Sequence, residues 1–144
     1  MNPKYILFIL TINLISFSLS SQDVWSPKEL MKIKSINQTD ISNDGKYIAY
    51  VVREAIMTDK KSEFLSQIWV SNTGGSQSIQ YTFNEKSSTS PKFSPDGNKI
   101  AFLSSRSGKN QIWIMNTLGG EAKKLTDEKK GVRSIKWSPD GNNI

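Results

Sequence analysis

The side chains that most often carry out chemistry are sparse in this chain. Its 144 residues include no histidine and no cysteine. No imidazole can act as a general base, no Ser-His-Asp triad or HExxH zinc site can be assembled, and no thiolate can attack or bind metal. Serines are frequent, Ser104 and Ser105 among them, yet none has a base to activate it. The run Asp40-Ile41-Ser42-Asn43-Asp44-Gly45 opens like a calcium loop, but its twelfth position is Val51 instead of a bidentate glutamate, so a turn is the better reading. Arg106 would meet a carboxylate if it faced a channel, and otherwise belongs to a solvated turn. Trp69 and Trp113 could stack on a ligand, but each sits in an apolar run that favours core packing. The expectation is no catalytic residue, no cofactor-binding residue and no metal ligand in these 144 residues.

The composition is that of a soluble globular chain, 36% hydrophobic and 22% charged, with room for one ordinary domain. The net charge of +6 comes mostly from lysines standing singly or in pairs beside acids, as Lys123-Lys124 and Lys129-Lys130 stand near Glu121, Asp127 and Glu128. A nucleic-acid binder more often shows clustered arginines with interleaved aromatics. Arg53, Arg106 and Arg133 are far apart, so a solvated lysine surface is expected and no nucleic acid.

The first residues read as an export signal. Lys4 provides a positive n-region, and Tyr5 to Leu19 form a mostly apolar run interrupted by Thr11 and Asn13. As a helix that run rises about 22 Å, short of the ~30 Å hydrocarbon core. Ser18 and Ser20 put small residues at −3 and −1 of a cleavage site before Ser21. The expectation is a signal peptide over 1–20, cleaved near Ser20/Ser21, with the protein exported to the periplasm or secreted and no stable membrane anchor.

Two kinds of element follow. Ser26-Pro27-Lys28-Glu29 is a capping box with proline at the first helical position. It predicts a helix of about two turns ending near Lys34 or Ser35, too short to persist unless Leu30, Met31 and Ile33 dock on something, with Trp25 a part of that contact. Residues 21–40 are thus a linker carrying a short helix. From Ile41 the sequence repeats. Phe93-Ser94-Pro95-Asp96-Gly97-Asn98-Lys99-Ile100 returns as Trp137-Ser138-Pro139-Asp140-Gly141-Asn142-Asn143-Ile144, and Gln67-Ile68-Trp69-Val70 as Gln111-Ile112-Trp113-Ile114, both 44 residues on. Thr82 and Thr126 keep the same spacing. An earlier copy, Ile41 to Tyr50, stands 52 before its match, with eight extra residues between Arg53 and Ser66. A period in the forties is that of four-stranded propeller blades, WD-like in length.

Each unit reads as four strands joined by turns. Ser94-Pro95-Asp96-Gly97 has the preferences of a type I turn. Strands are expected ending at Phe93, over Lys99 to Ser104, over Gln111 to Asn116, and over Glu121 to Thr126 after Gly119-Gly120. Ile48 to Val52, Ile100 to Leu103 and Ile112 to Met115 are apolar on both faces instead of alternating, as sheets covered on both sides require. The fold class is all-β: an incomplete β-propeller over 41–144, two four-stranded blades plus the start of a third, preceded by the signal and the helix. Ile144 aligns with the first apolar residue of a strand, so the chain reads as an N-terminal fragment. Such a fragment is expected to uncover Ile100, Phe102, Ile112 and Ile114 and to aggregate.

The order of signal, short helix and Ser-Pro-Asp-Gly repeats resembles the N-terminus of a prolyl oligopeptidase family serine peptidase, nearest its acylaminoacyl-peptidase and dipeptidyl-peptidase branch. The likeness is carried by Ser94 to Arg106, Gln111-Ile112-Trp113 and Gly119 to Thr126, and covers Ser26 to Ile144. The first copy departs from it, with Asn43 where the repeats have proline. The resemblance implies a propeller that gates access of short peptides to an α/β-hydrolase domain in the same chain, whose triad and GxSxG elbow lie outside this sequence. The enzyme implied is the larger peptidase; this segment alone is expected to be inactive. The alternative is a non-enzymatic periplasmic propeller of the Tol-Pal type, which places an α/β domain ahead of its propeller where this sequence has about twenty residues.

Overall fold

The structure, a computed structural model, describes residues 26–144. The expected signal segment and Trp25 lie outside the described residues. Ser26 caps helix α1, Pro27–Met31, accepting from the Glu29 backbone N–H at 3.1 Å. The reciprocal half of the capping box does not form, because the Glu29 carboxylate pairs with Lys32 at 2.7 Å. The helix is five residues long, shorter than expected, and Leu30, Met31 and Ile33 are exposed. The anticipated docking of its apolar side is absent among the described residues.

Eight strands follow as two four-stranded antiparallel sheets. The first sheet has β1 (Ser35–Ile41), β2 (Tyr47–Thr58), β3 (Lys61–Asn72) and β4 (Ser78–Gln80), hydrogen-bonded in that order. The second has β5 (Ser88–Phe93), β6 (Lys99–Ser104), β7 (Gln111–Asn116) and β8 (Lys123–Lys124). These are the two expected blades. The first begins at Ser35, ahead of the boundary placed at residue 41. β1 is polar and largely exposed, so no apolar run announced it.

The eight extra residues of the first unit lengthen a hairpin. β2 and β3 are twelve residues each, against six for β6 and β7. Their pairing runs unbroken from Tyr47↔Asn72 to Thr58↔Lys61, so the hairpin projects as an arm past the end of the second blade. β8, by contrast, is shorter than the predicted Glu121 to Thr126. After Leu125 N–H donates to Ile112 O at 2.8 Å, the Thr126 hydroxyl takes over as acceptor for Ile112 N–H at 3.0 Å. A side chain replaces the backbone ladder there, and the strand stops.

The blades stack face to face. Ala49, Val51, Ile68 and Val70 of the first meet Phe93, Ile100, Phe102 and Met115 of the second in one core. On the far side of β6, Ala101 and Leu103 with Ile112 are covered by Val132, Ile135 and Trp137. Period-two alternation sends Ile100 and Phe102 one way and Ala101 and Leu103 the other, and both sets are buried. The side chains expected to be uncovered are therefore not: Ile100 and Phe102 are fully buried, Ile112 is nearly so, and Ile114 is half-buried. Residues 132–137 cover the second blade without forming a strand, although Val132 N–H donates to Asn110 O and Trp137 Nε1 donates to Lys92 O.

Phe102→Ala is expected to lower stability by about 3–5 kcal/mol, because the cavity it opens is closed on both sides. Leu118→Ala, at a residue 90% exposed, should change it by less than about 0.5 kcal/mol. Urea denaturation of both variants checks the contrast.

Candidate functional site

The repeated Ser-x-Asp-Gly turns form the most regular polar structure in the molecule. In each, the glycine N–H donates to the serine carbonyl, Gly45 to Ser42 and Gly97 to Ser94 at 2.8 Å, and Gly141 to Ser138 at 3.0 Å. The glycines have φ of +70°, +73° and +71°, the left-handed region in which an L side chain is strained. The serine hydroxyl then accepts from the N–H five residues on, at 2.9 Å from Tyr47, Lys99 and Asn143. It donates to the aspartate, at 2.7 Å for Asp44 and 2.5 Å for Asp96 and Asp140.

The same hydrogen bonds act on the turn aspartates. Hydrogen bonds from Ser94, then from the Asn98 backbone and side chain, hold the Asp96 carboxyl below its ordinary value of 3.8. Asp140 is lowered in the same way by Ser138 and Asn142, and Asp44 by Ser42 and the Lys46 N–H. Each Ser–Asp pair thus holds its own turn closed. The calcium-loop reading also falls away. Asp44 is tied to its own turn, while Asp40 points across to the next blade and pairs with Lys92 at 2.7 Å. Among the described residues no cluster of three or more His, Cys, Asp or Glu could hold a metal ion.

A second repeated network closes each blade's outer edge. Thr82 accepts from Ile68 N–H and donates to Gln67 Oε1, and the Gln67 amide donates to Asn84 O. Thr126, Gln111 and Glu128 repeat it 44 residues later. Between the two turns of the first and second blades lies a cleft of about 380 Å³, with Asp44, Tyr47, Asp96, Asn98, Thr117 and Leu118 in its wall. The two acids of its wall, Asp44 and Asp96, are each bonded within their own turns.

The singled-out residues take these places. Trp69 is half-buried within the first blade, opposite Tyr50 and Gln80. Trp113 packs against the inter-blade core, with Nε1 buried and unpartnered. Ser104 is fully buried; it accepts from Arg106 Nε at 3.2 Å and donates to Ser87 O at 3.0 Å, while Ser105 lies half-buried beside it. Arg106 corrects the solvated-turn reading: it is half-buried over Trp113 and Phe102, 4.8 and 5.3 Å from their centroids, and also bonds the Ser88 hydroxyl. Burial lowers its pKa.

Sequence reasoning missed the contacts between inner strands. Asp40 accepts from Lys92 Nζ and from Phe93 N–H, and Gln38 Oε1 accepts from Ser90 N–H at 2.9 Å. Gln38 and Ser90 sit at matching bulges with φ of 50° and 54°. Gln38–Ser90 and Asp40–Lys92 each join positions 52 residues apart, equivalent in adjacent units, and the opposite charges of Asp40 and Lys92 were the available signal.

Two antiparallel four-stranded blades, a 44-residue period and identical turn locks define a β-propeller. The family profile of the TolB beta propeller domain matches residues 52–144, and the chain belongs to that family. It is 41% identical over 80 residues to a Bacillus subtilis protein described as the uncharacterized peptidase YuxL, a match covering 56% of this chain and 12% of that one. It is similar to an acylaminoacyl peptidase solved with Z-Gly-Gly-Phe-chloromethyl ketone, at 27% identity and a TM-score of 0.65 over 81% of this chain and 18% of the other. It also matches the Pyrococcus horikoshii acylaminoacyl peptidase at 30% identity and a TM-score of 0.62, over 81% and 17%. The chain therefore spans less than a fifth of the length of each of these relatives. It is a propeller segment related both to peptidase propeller regions and to TolB.

Replacing Ser94 by Ala removes the acceptor of Lys99 N–H and should cost about 1–2 kcal/mol in urea denaturation. The aspartate values are lowered in the folded state, so their contribution is complete above the unfolded aspartate value and is lost as pH falls through the lowered values. Melting temperature should therefore drop between about pH 5 and pH 2, and less steeply in Asp96→Asn than in the unaltered protein.

Proposed function

We propose that this chain is the propeller portion of an exported serine peptidase that hydrolyses short peptides, with the propeller limiting access to an α/β-hydrolase domain elsewhere in the same polypeptide. The observation that supports this most directly is the match to two acylaminoacyl peptidases over four-fifths of the described fold and chain, together with the 41% identity to a protein described as a peptidase. Acyl transfer to serine would use residues outside these 144, since this sequence holds no histidine to activate its serines. Export would rest on the apolar segment after Lys4 and on cleavage near Ser20/Ser21. A non-enzymatic propeller of the TolB type is the second reading, favoured by the family profile over 52–144.

The test is to produce the protein from its full reading frame and residues 21–144 separately. The full product should release chromophore from acylaminoacyl substrates and react with a serine-directed fluorophosphonate, while the segment matches the buffer blank. An unreactive full product would favour the TolB-type reading. Labelling of the segment itself would contradict the assignment of its serines to structure. Intact mass of exported material should place the N-terminus at or near Ser21; recovery of Met1 in membranes would refute cleavage.

A further inference from the structure

The two most exposed large apolar side chains among the described residues stand in one furrow. Leu118 is 90% exposed and Phe83 77%. Leu118 and Gly119, in the β7–β8 turn, line two adjoining clefts. One is the cleft of about 380 Å³ between the Ser-x-Asp-Gly turns. The other, of about 300 Å³, reaches from the β7–β8 turn to Ile79 in β4 and Phe83 beyond it. Tyr81 and Met115 also line this second cleft, and both pack in the inter-blade core. The furrow therefore follows the seam between the two blades, and both of its banks belong to the described residues.

The turn that carries Leu118 is fixed from below. Thr117, itself buried, donates its N–H to Asn98 O at 2.9 Å and its hydroxyl to Gly97 O at 2.6 Å, and Tyr81 donates its hydroxyl to Thr117 O at 2.6 Å. A leucine on a turn tied in this way is held in water. Apolar side chains scattered singly over a surface need no explanation, but Ile79, Phe83 and Leu118 line one cleft together. The adjoining cleft has the opposite character, with Asp44 and Asp96 in its wall and no cationic side chain. In each acid the serine hydroxyl and the turn N–H both go to Oδ1, so Oδ2 keeps acceptor capacity. Asp96 Oδ2 accepts only the Asn98 amide, and Asp96 is in no ion pair among the described residues. Asp44 faces Lys46 at 3.3 Å in an exposed pair, which is readily exchanged.

We propose that this furrow is a docking groove for an extended peptide segment of a partner protein in which a basic residue adjoins apolar ones. The charge of the groove selects the occupant: the basic side chain meets Asp44 and Asp96, and the apolar side chains lie on Leu118, Ile79 and Phe83. An extended segment presents successive side chains along such a furrow, and a preformed turn spares the cost of ordering it. The groove is made by the two blades themselves and so belongs equally to a peptidase propeller and to a binding propeller.

Fluorescence anisotropy on the protein produced from its full reading frame tests this, with fluorescein-labelled Ser-Lys-Leu-Phe-Ser-amide and its reversed sequence as probes. Control peptides carry glutamate for the lysine, or serines for the apolar pair. At least one lysine peptide should bind saturably, with a Kd about tenfold or more below those of its controls. Leu118→Ser should weaken that binding about tenfold with the melting temperature unchanged, because the side chain is in water in the free protein. Asp96→Asn should narrow the gap between the lysine and glutamate peptides. Equal binding of those two peptides, no saturable binding in either direction, or undiminished binding in Leu118→Ser would overturn the proposal. Self-association abolished by Leu118→Ser would overturn it too, by making a second copy the occupant.

Discussion

The constraint on which the structure depends is that its sheets are apolar on both faces. A strand such as Ile100-Ala101-Phe102-Leu103 leaves no side for water, so each blade is stable only between neighbours. The first blade and the segment 132–137 supply those neighbours, and all four side chains are buried. Burial of a single Ile or Phe contributes roughly 1.5–3 kcal/mol against a whole-domain margin of about 5–15 kcal/mol. Stacking is therefore a condition of folding here. The repeated turns and the Gln–Thr locks recur at the same place in each blade, although β2 and β3 run to twice the length of β6 and β7.

Polar residues then decide how adjacent blades are held in register. Asp40 ties Lys92 and Phe93 to the first blade, and Gln38 satisfies the N–H left over at the Ser90 bulge. A backbone bulge with positive φ costs free energy at a serine or glutamine, and its freed donor would add to that cost if left unpaired. The neighbouring blade supplies the acceptor. Inter-blade contact thus completes the hydrogen bonding of the inner strands as well as burying apolar surface.

Much of this was legible in the sequence. Spacing alone located both blades, the turn glycines and the eight-residue insertion, because a turn lock needs fixed residue types at fixed positions. The polar strand β1 escaped notice because nothing in Ser-Ile-Asn-Gln-Thr-Asp-Ile alternates toward a core, and its place is set by pairing with β2. The cover of Ile112 and Leu103 was also missed, since residues 132–137 bury that face without the hydrogen bonds of a strand. Arg106 read as a surface residue because a sequence lists charge but not the two rings and two hydroxyls that assemble around it. The Ser-x-Asp-Gly spacing marked the turns, and the serine hydroxyls bond the aspartates of those same turns.

The account rests on the two blades opening only together, and native-state hydrogen exchange measures this directly. Amides of Ala49–Val52 in β2 and Ile100–Ser104 in β6 should exchange with one common opening free energy, while the projecting arm around Met57 and Phe64 exchanges through smaller local openings. Independent exchange of the β2 and β6 segments, with the first blade opening while the second remains protected, would contradict it.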